Sequence, residues 1–392
     1  MNTVLFLDAN ETILDSIKYA RSIGCKVITC DNNPSHEGHR LADVSYNIST
    51  YDVDALSEVV EKENVNAVVY FASAHGLYGG VRLIQKYGLP GIPYAIEKLF
   101  SDKGKFRSFL GHNKIDNPNY LVTSSEECNL DMPFPVIVKP VDSEGGNIGV
   151  FKVSESSALA SAIRSALKVS FSRKVLIEQF IKSSLQVNGD CLIIDGKVEL
   201  AYLGKYVYSS NDSIIPIATV FGDGIIPVDI YKRIVDRIQR VINASGMKDG
   251  VINVEIRVTE DGIPFFIEIN PRHSGNRIYD LMDKSYGVSM KQIAVDLALG
   301  KCIQIRNTTL HGYYSYCILK SEYTGILDSL ILSDTLRSHI ISMSKFCSYG
   351  DEVHHFNLLK DRIALLHLSF DNQEQMMDIV NNLDDYYKVV LK

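Results

Sequence analysis

Much that would fix a function class at a glance is missing from these 392 residues. The seven cysteines stand at 25, 30, 128, 191, 302, 317 and 347, with no C-x-x-C pair among them. An odd, unclustered set excludes a disulfide frame or a zinc ribbon and reads as reduced thiols in the cytoplasm. Basic residues are also short: 40 Lys and Arg against 47 Asp and Glu give a net charge of −7, which argues against a nucleic-acid partner. No apolar run approaches the ~20 residues that cross a bilayer, so no membrane is expected. The opening MNTVLFLDANETILDS has no basic stretch ahead of its apolar residues and is not expected to be a secretory leader. The first strand-like run leads into Asp8-Ala9-Asn10-Glu11 and not into G-x-G-x-x-G, which disfavours a dinucleotide at that turn. There is no G-K-[ST] loop of the Walker kind and no G-x-S-x-G elbow.

What is present is ordinary in bulk and informative in detail. With 46% hydrophobic and 22% charged residues, the chain has the composition of a globular protein, and its length suits two or three domains. Val4–Leu7, Lys26–Cys30 and Ala67–Phe71 read as short strands, each followed by a helical stretch: Thr12–Ile23, Val53–Glu63 and Leu77–Tyr87. That alternation predicts βαβ units and a small parallel sheet. Gly88-Leu-Pro-Gly-Ile-Pro93 is a breaker cluster and a natural boundary. Beyond it come a helical stretch Ala95–Leu110, strands Phe134–Pro140, Val150–Val153 and Val175–Ile181, and a helix Glu155–Leu167. A hairpin turns at Asp195-Gly196, where Asp-Gly suits a primed turn. A second hairpin joins Val251–Thr259 to Ile263–Ile269, and the tail closes with short strands and a helix near Asn372–Leu383. The expected body is α+β and mostly antiparallel, with an α/β domain in front.

Chemistry concentrates in three places. Period-two alternation puts Asn253, Glu255 and Arg257 on one face of a strand, with Glu268 and Asn270 sharing a face of its partner. Two carboxylates and an amide oxygen are the hard ligands Mg²⁺ prefers, with room for phosphates; the plain alternative is a surface hairpin with two exposed glutamates. Pro135-Val-Ile-Val-Lys-Pro140 sets Lys139 at a strand end, shortly before Ser143-Glu-Gly-Gly-Asn-Ile-Gly149. Such a loop can close backbone N–H groups over phosphates, or can simply be a turn between strands. Glu178 interrupts the apolar run Val175–Ile181, where it is either paired in the core or turned toward a nucleotide.

Taken in order, Ser101-Asp-Lys103, Phe134–Pro140, Ser143–Gly149, Val175-Leu-Ile-Glu-Gln-Phe-Ile181, Asn253-Val-Glu255 and Ile267-Glu-Ile-Asn-Pro-Arg272 resemble the ATP-grasp superfamily. Within it they look most similar to carbamoyl phosphate synthetase-like and L-amino acid ligase-like carboxylate–amine ligases. The resemblance implies a Rossmann-like parallel-sheet domain over 1–92, a lid lobe over 93–182, a catalytic lobe over 183–310 and a C-terminal α+β subdomain over 311–392. It implies ATP and Mg²⁺, with Mn²⁺ able to substitute, and activation of a carboxylate as acyl phosphate for attack by an amine. Both substrates would be small molecules, and a homodimer is the common assembly for such enzymes.

By the same resemblance, Lys103 and Lys139 would contact phosphates, and Ser143, Gly145, Gly146 and Gly149 would form the lid loop. Glu178 and the backbone of Gln179, Phe180 and Ile181 would meet adenine and ribose. Glu255, Glu268 and Asn270 would hold magnesium, and Arg272 would meet the acyl phosphate or the acid. Many members carry a second glutamate after the hinge, where this chain has Gln186. The alternatives are a bicarbonate-using or carbamoyl-phosphate-forming relative, and a nucleotide-binding protein without ligase activity. His36 and His39 sit in a front-domain loop, His75 follows a strand end, and His354-His355 is expected to point to opposite faces of a late strand.

Overall fold

A computed structural model of the chain describes residues 1–142, 148–209, 215–306 and 308–392. The front of the chain forms a parallel sheet from β1 (Thr3–Leu7), β2 (Lys26–Cys30), β3 (Val44–Tyr46) and β4 (Ala67–Val69), in the order β3-β2-β1-β4. β1 is buried along its whole length, as a strand covered on both faces must be. Helix Leu14–Ser22 joins β1 to β2, the short helix Gly38–Leu41 lies between β2 and β3, and Val53–Glu63 joins β3 to β4; Ala74–Tyr87 follows β4 and is capped by the Ser73 side chain, which accepts from the Gly76 N–H.

After the Gly88–Pro93 breaker, helices Tyr94–Ser101 and Lys103–His112 divide at Asp102, whose side chain caps the second by accepting from the Lys105 N–H. A four-stranded antiparallel sheet follows from β5 (Tyr120–Thr123), β6 (Val136–Pro140), β7 (Phe151–Val153) and β8 (Val175–Gln179), backed by helix Leu159–Val169. The sheet buries Val136, Val138, Val175 and Ile177 against Ile163 and Ala166, a separate small core.

The remaining strands are β9 (Leu185–Ile194), β10 (Lys197–Tyr208), β11 (Pro216–Phe221), β12 (Gly250–Val258), β13 (Pro264–Asn270), β14 (Tyr313–Leu319), β15 (Gly325–Leu332), β16 (Ile340–Lys345), β17 (Glu352–Val353), β18 (Ala364–Phe370) and β19 (Tyr387–Leu391). Eight of them form one sheet in the order β13-β12-β9-β10-β11-β14-β18-β16. β9 and β10 turn through Asp195 and Gly196, both at positive φ (50° and 74°), as a primed Asp-Gly turn requires. The boundary expected at 310/311 does not coincide with an edge of this sheet, because β14, β18 and β16 continue it; β15, β17 and β19 make a small sheet beside it.

Alternation along β9 and β12 decides what each face of the large sheet does. Val187, Cys191, Ile193, Ile252, Val254 and Ile256 face one core, closed by helix Val228–Ser245 through Ile234, Ile238, Val241 and Ile242. Leu192, Ile194 and Val251 face the opposite way, against the front domain and helices Ile278–Tyr286 and Met290–Ala298. Asp190, Asn253, Glu255 and Arg257 share this second face by parity. Helix Val228–Ser245 is absent from the sequence expectations, although apolar residues recur there at 230, 234, 238, 241 and 242.

Candidate active site

A cleft of about 220 Å³ opens between the four-stranded sheet and the large sheet. Its floor is the hairpin β12–β13, where Glu255 stands directly opposite Glu268. A β-bulge follows at Glu255/Ile256 and shifts the register, so that Ile256 pairs with Phe266. Like charges facing each other across a ladder are destabilising unless something compensates. Here burial and the Glu268 charge push the Glu255 carboxyl up to about 7. Burial also opposes the Glu268 charge, but Lys103, the Asn270 amide, Lys139 and Arg272 together hold its pKa below the usual carboxylate range. Lys103 Nζ lies 3.4 Å from Glu268, and Asn270 Nδ2 donates to Glu268 Oε1 at 2.9 Å. The Tyr206 hydroxyl donates to Glu255 Oε1 at 2.9 Å.

The opposite wall carries a second cluster. Lys139, at the end of β6, reaches Glu178 on β8 at 2.5 Å, and Arg107 Nε reaches the same carboxylate at 2.9 Å. All three side chains are buried. Although burial opposes its charge, the two cations pull the Glu178 carboxyl down to about 2. Burial lowers the pKa of Lys139 despite Glu178 beside it. Arg107 Nη2 also donates to the Ile267 carbonyl at 3.1 Å, tying the helix bearing Lys103 to β13. Of the two readings of Glu178, the core-paired one describes its carboxylate, while the residue still lines the cleft.

Between β8 and β9, Phe180 meets two cations, with Lys152 at 4.5 Å and Arg257 at 5.1 Å from its ring centre. Arg257 Nη1 donates to the Ile181 carbonyl at 3.1 Å. Gln186 lines the cleft, and its Oε1 accepts from the Tyr208 hydroxyl at 2.7 Å. Gln179 and Ile181 also border this space.

Lys103, Lys139, Glu178, Gln179, Phe180, Ile181, Gln186, Glu255 and Glu268 therefore meet around one cleft. Asn270 joins them through Glu268. Arg272 lies beyond the hairpin end, with Nη1 donating to the His273 carbonyl at 2.7 Å. Burial lowers its pKa, while Glu268, Asp190 and Glu255 support its charge. Ser143, Gly145 and Gly146 lie outside the described residues. Gly149 has φ +75°, and a Cβ there would collide with Val169, so this position requires glycine.

Four contributors were not anticipated. Arg107 follows Lys103 by four residues, which places both on one helix face and was a readable signal. Tyr206 and Tyr208 alternate on β10, but nothing local shows that β10 lies beside these carboxylates. Asp190 follows Asn188-Gly189 in a strand, and nothing in its neighbourhood along the chain marks it. The histidines do not join the cleft: His36 pairs with Asp31 at 2.7 Å, His39 Nδ1 meets Thr29 Oγ1 at 2.9 Å, and His75 packs on Tyr51. His354 and His355 lie just past the two-residue β17 and are not strand residues; His355 Nδ1 contacts the Glu322 carbonyl.

The donor set suits a magnesium ion. Among the described residues no group of three or more His, Cys, Asp or Glu is placed to hold a metal ion by itself; Glu255, Glu268 and Asn270 offer two carboxylates and an amide oxygen, a partial set that phosphate oxygens would complete.

A protein family described as "D-ala D-ala ligase C-terminus" matches residues 103–298. The carbamoyl phosphate synthase large chain of Thermoanaerobacter sp. strain X514 is 26% identical over 342 residues, covering 82% of this chain and 30% of that protein. This chain thus spans less than a third of the length of the carbamoyl phosphate synthase large chains it matches. The D-alanine--D-alanine ligase of Geotalea uraniireducens strain Rf4 is 27% identical over 248 residues, covering 57% of this chain and 74% of that one. Among solved structures, the L-amino acid ligase from Bacillus licheniformis superposes with a TM-score of 0.85 at 17% identity, covering 100% of this chain and 99% of that one. The chain belongs to the D-ala D-ala ligase C-terminus family and, with it, to the ATP-grasp superfamily.

Proposed function

We propose that the chain is an ATP-dependent carboxylate–amine ligase that activates an acid as acyl phosphate, couples it to an amine and releases ADP and phosphate. The observation that carries this reading is the facing pair Glu255 and Glu268 with Lys103, Lys139 and Arg272 around it. Binding a nucleotide alone does not call for two half-buried carboxylates forced together. Transferring its terminal phosphoryl group does, because the pair would hold a divalent cation, which would offset their repulsion and supply charge neutralisation at the phosphates.

Each residue then has a task. Phe180, Ile181 and Gln186 border the place for the base and ribose. Glu178 holds Lys139 in position and, with Arg107, fixes the wall from which the lysine faces the phosphates. Lys103 supplies a second cation beside Glu268. Glu255, Glu268 and Asn270 would hold Mg²⁺, which would draw charge from the transferring phosphoryl oxygens. Arg272 offers a planar fork that suits the acid and then its acyl phosphate. No side chain need act as nucleophile, since positioning and charge neutralisation supply most of the rate in phosphoryl transfer. The 143–149 segment would exclude water from the acyl phosphate.

The test is ADP release in the presence of ATP and Mg²⁺, screening amino acids and sugar acids in pairs with amines. Release that needs both an acid and an amine, with an amide as product, is expected. Release driven by bicarbonate alone would assign the chain to the carboxylating alternative, and nucleotide binding without release would overturn the ligase reading.

A further inference from the structure

Behind the hairpin end, on the same face of the large sheet as Glu255, lies a second cavity of about 440 Å³. Its walls are largely apolar and come from three parts of the fold: Val69 and Phe71 at the carboxyl end of β4, Val251 at the start of β12, and Ala294 and Leu297 on helix Met290–Ala298. A site of this size at the carboxyl end of parallel strands, apolar over most of its wall with Asp195, Lys248, Asp249 and Lys301 also on its lining, has the form of a small-molecule pocket. Arg272 and His273 line it, in the segment that leads directly from β13 and the carboxylate pair.

His273 is not an ordinary buried histidine. Its Nδ1 lies 3.1 Å from Asp190 Oδ2, and that carboxylate is fully buried. Asp190 is fixed in turn by Asn253 Nδ2 at 2.9 Å and by the Ser274 N–H at 3.2 Å to both oxygens. Phe71 stacks on the imidazole with ring centres 4.2 Å apart, and Tyr279 meets it edge-on. His273 is 3% exposed, yet its Nε2 has no hydrogen-bond partner among the described residues. An N–H at Nδ1 directed to Asp190 leaves Nε2 as a bare acceptor. A buried, oriented and unused acceptor beside an apolar cavity calls for a ligand that brings a donor.

We propose that this cavity receives the amine substrate, a primary amine with an apolar side group, and that His273 oriented by Asp190 takes the proton its nitrogen must lose. The proposal rests on the ligase reading above. The ammonium gives one proton to Nε2, and the freed lone pair forms the C–N bond to the acyl carbon. The C–O bond to phosphate breaks with its electron pair going to the phosphate, which carries off the second nitrogen proton.

Two measurements decide it. The first needs no acid: isopentylamine and methylamine are titrated calorimetrically onto the full chain with Mg²⁺ and a non-hydrolysable ATP analogue. At roughly fourfold per buried carbon, isopentylamine should bind at least ~10-fold tighter. Ala294→Phe, which fills the cavity, should erase that preference. Leu297→Ala, which widens it, should shift the preference toward phenethylamine, and this second variant decides the matter should the first not fold. Equal binding of the amines by the wild-type chain, or a preference that neither substitution moves, would overturn the cavity assignment.

The second uses hydroxylamine, which is neutral at pH 7 and attacks an acyl phosphate without giving up a proton first. With an acid found in the ADP-release screen, His273→Gln should lower the ratio of isopentylamide to hydroxamate by about 10²-fold or more. A parallel loss of both products, or of neither, would overturn the proton-acceptor role. Absence of hydroxamate from the wild-type chain with every acid would instead overturn the ligase reading, while the binding result would still decide the cavity.

Discussion

Residues in this site are defined by how their charges are compensated. Glu268 stays ionised because Lys103, Asn270, Lys139 and Arg272 surround it, so Glu268→Gln should leave the fold intact and cut ADP release by ~10²-fold or more. Near wild-type release would refute the magnesium assignment. Arg272 poses a sharper question, since an arginine at a strand end can be structural. Its nearest structural partners in sequence are occupied: Asp280 pairs with Arg277 and Lys291, and Asp283 accepts from the Met290 N–H. Arg272→Lys should therefore keep its melting temperature and ATP affinity yet lose ~2–4 kcal/mol of transition-state stabilisation, read as kcat/KM for the acid. A lower melting temperature with unchanged kinetics would point to a structural arginine. Glu178 supplies the pH dependence. Its folded pKa of about 2 lies below the ordinary 4.5, so the unfolded chain binds the proton first as pH falls. The stabilisation is whole above pH 4.5 and is lost between there and about 2. Glu178→Gln, which strands Arg107 and Lys139 as buried cations, should cost ~3–5 kcal/mol near neutral pH and flatten the acid limb of a urea-midpoint profile. An unaltered acid limb would count against the pairing.

At the scale of elements, the β12–β13 hairpin shows why a strand pair is a good place for two opposed carboxylates. Register fixes Glu255 opposite Glu268 without a loop, and the bulge just after it breaks the ladder where the partners part company. The hairpin is held from behind by helix Val228–Ser245, which turns Ile234, Ile238, Val241 and Ile242 into the core on the far face. Ile238→Ala would open a cavity there, far from the cleft. A loss of about 3 kcal/mol in urea unfolding is expected, with ATP affinity of the folded fraction unchanged. A large change in affinity would mean that this helix positions the carboxylates more directly than packing implies.

The whole molecule places its chemistry where different sheets of the fold meet. The cleft takes its walls from the four-stranded sheet and the large sheet, and the second cavity from the front domain and helix Met290–Ala298. A ligand bridging two parts stabilises both only when bound, so a non-hydrolysable ATP analogue with Mg²⁺ should raise the melting temperature. At 100 times its Kd the gain is ~2.7 kcal/mol. Removing the divalent ion with EDTA should cancel most of that rise, because the two carboxylates would again oppose the phosphates. A rise that is indifferent to EDTA would argue against metal at the hairpin.

The sequence by itself determined the local grammar: the alternating front domain, the Asp-Gly hairpin, and the ordered motifs from Lys103 to Arg272; the single helical stretch read over Ala95–Leu110 is in fact two helices divided at Asp102. The first three are legible because strand alternation, caps and turn residues act between near neighbours in the chain. Lys103, Glu255, Glu268 and Asn270 could be placed on one hairpin or helix end for the same reason. Only the tertiary structure decided that Glu178 spends its charge on Lys139 and Arg107, that Tyr206 meets Glu255, and that Tyr208 meets Gln186. It alone brought Asp190 to His273, 83 residues away. Those pairings are set by which strands lie side by side in the large sheet, and the order β13-β12-β9-β10 is a long-range fact that no local window contains. The continuation of that sheet into β14, β18 and β16 has the same origin. Burial, which turns a carboxylate into a strong or a weak acid, follows only once the sheets have closed on each other.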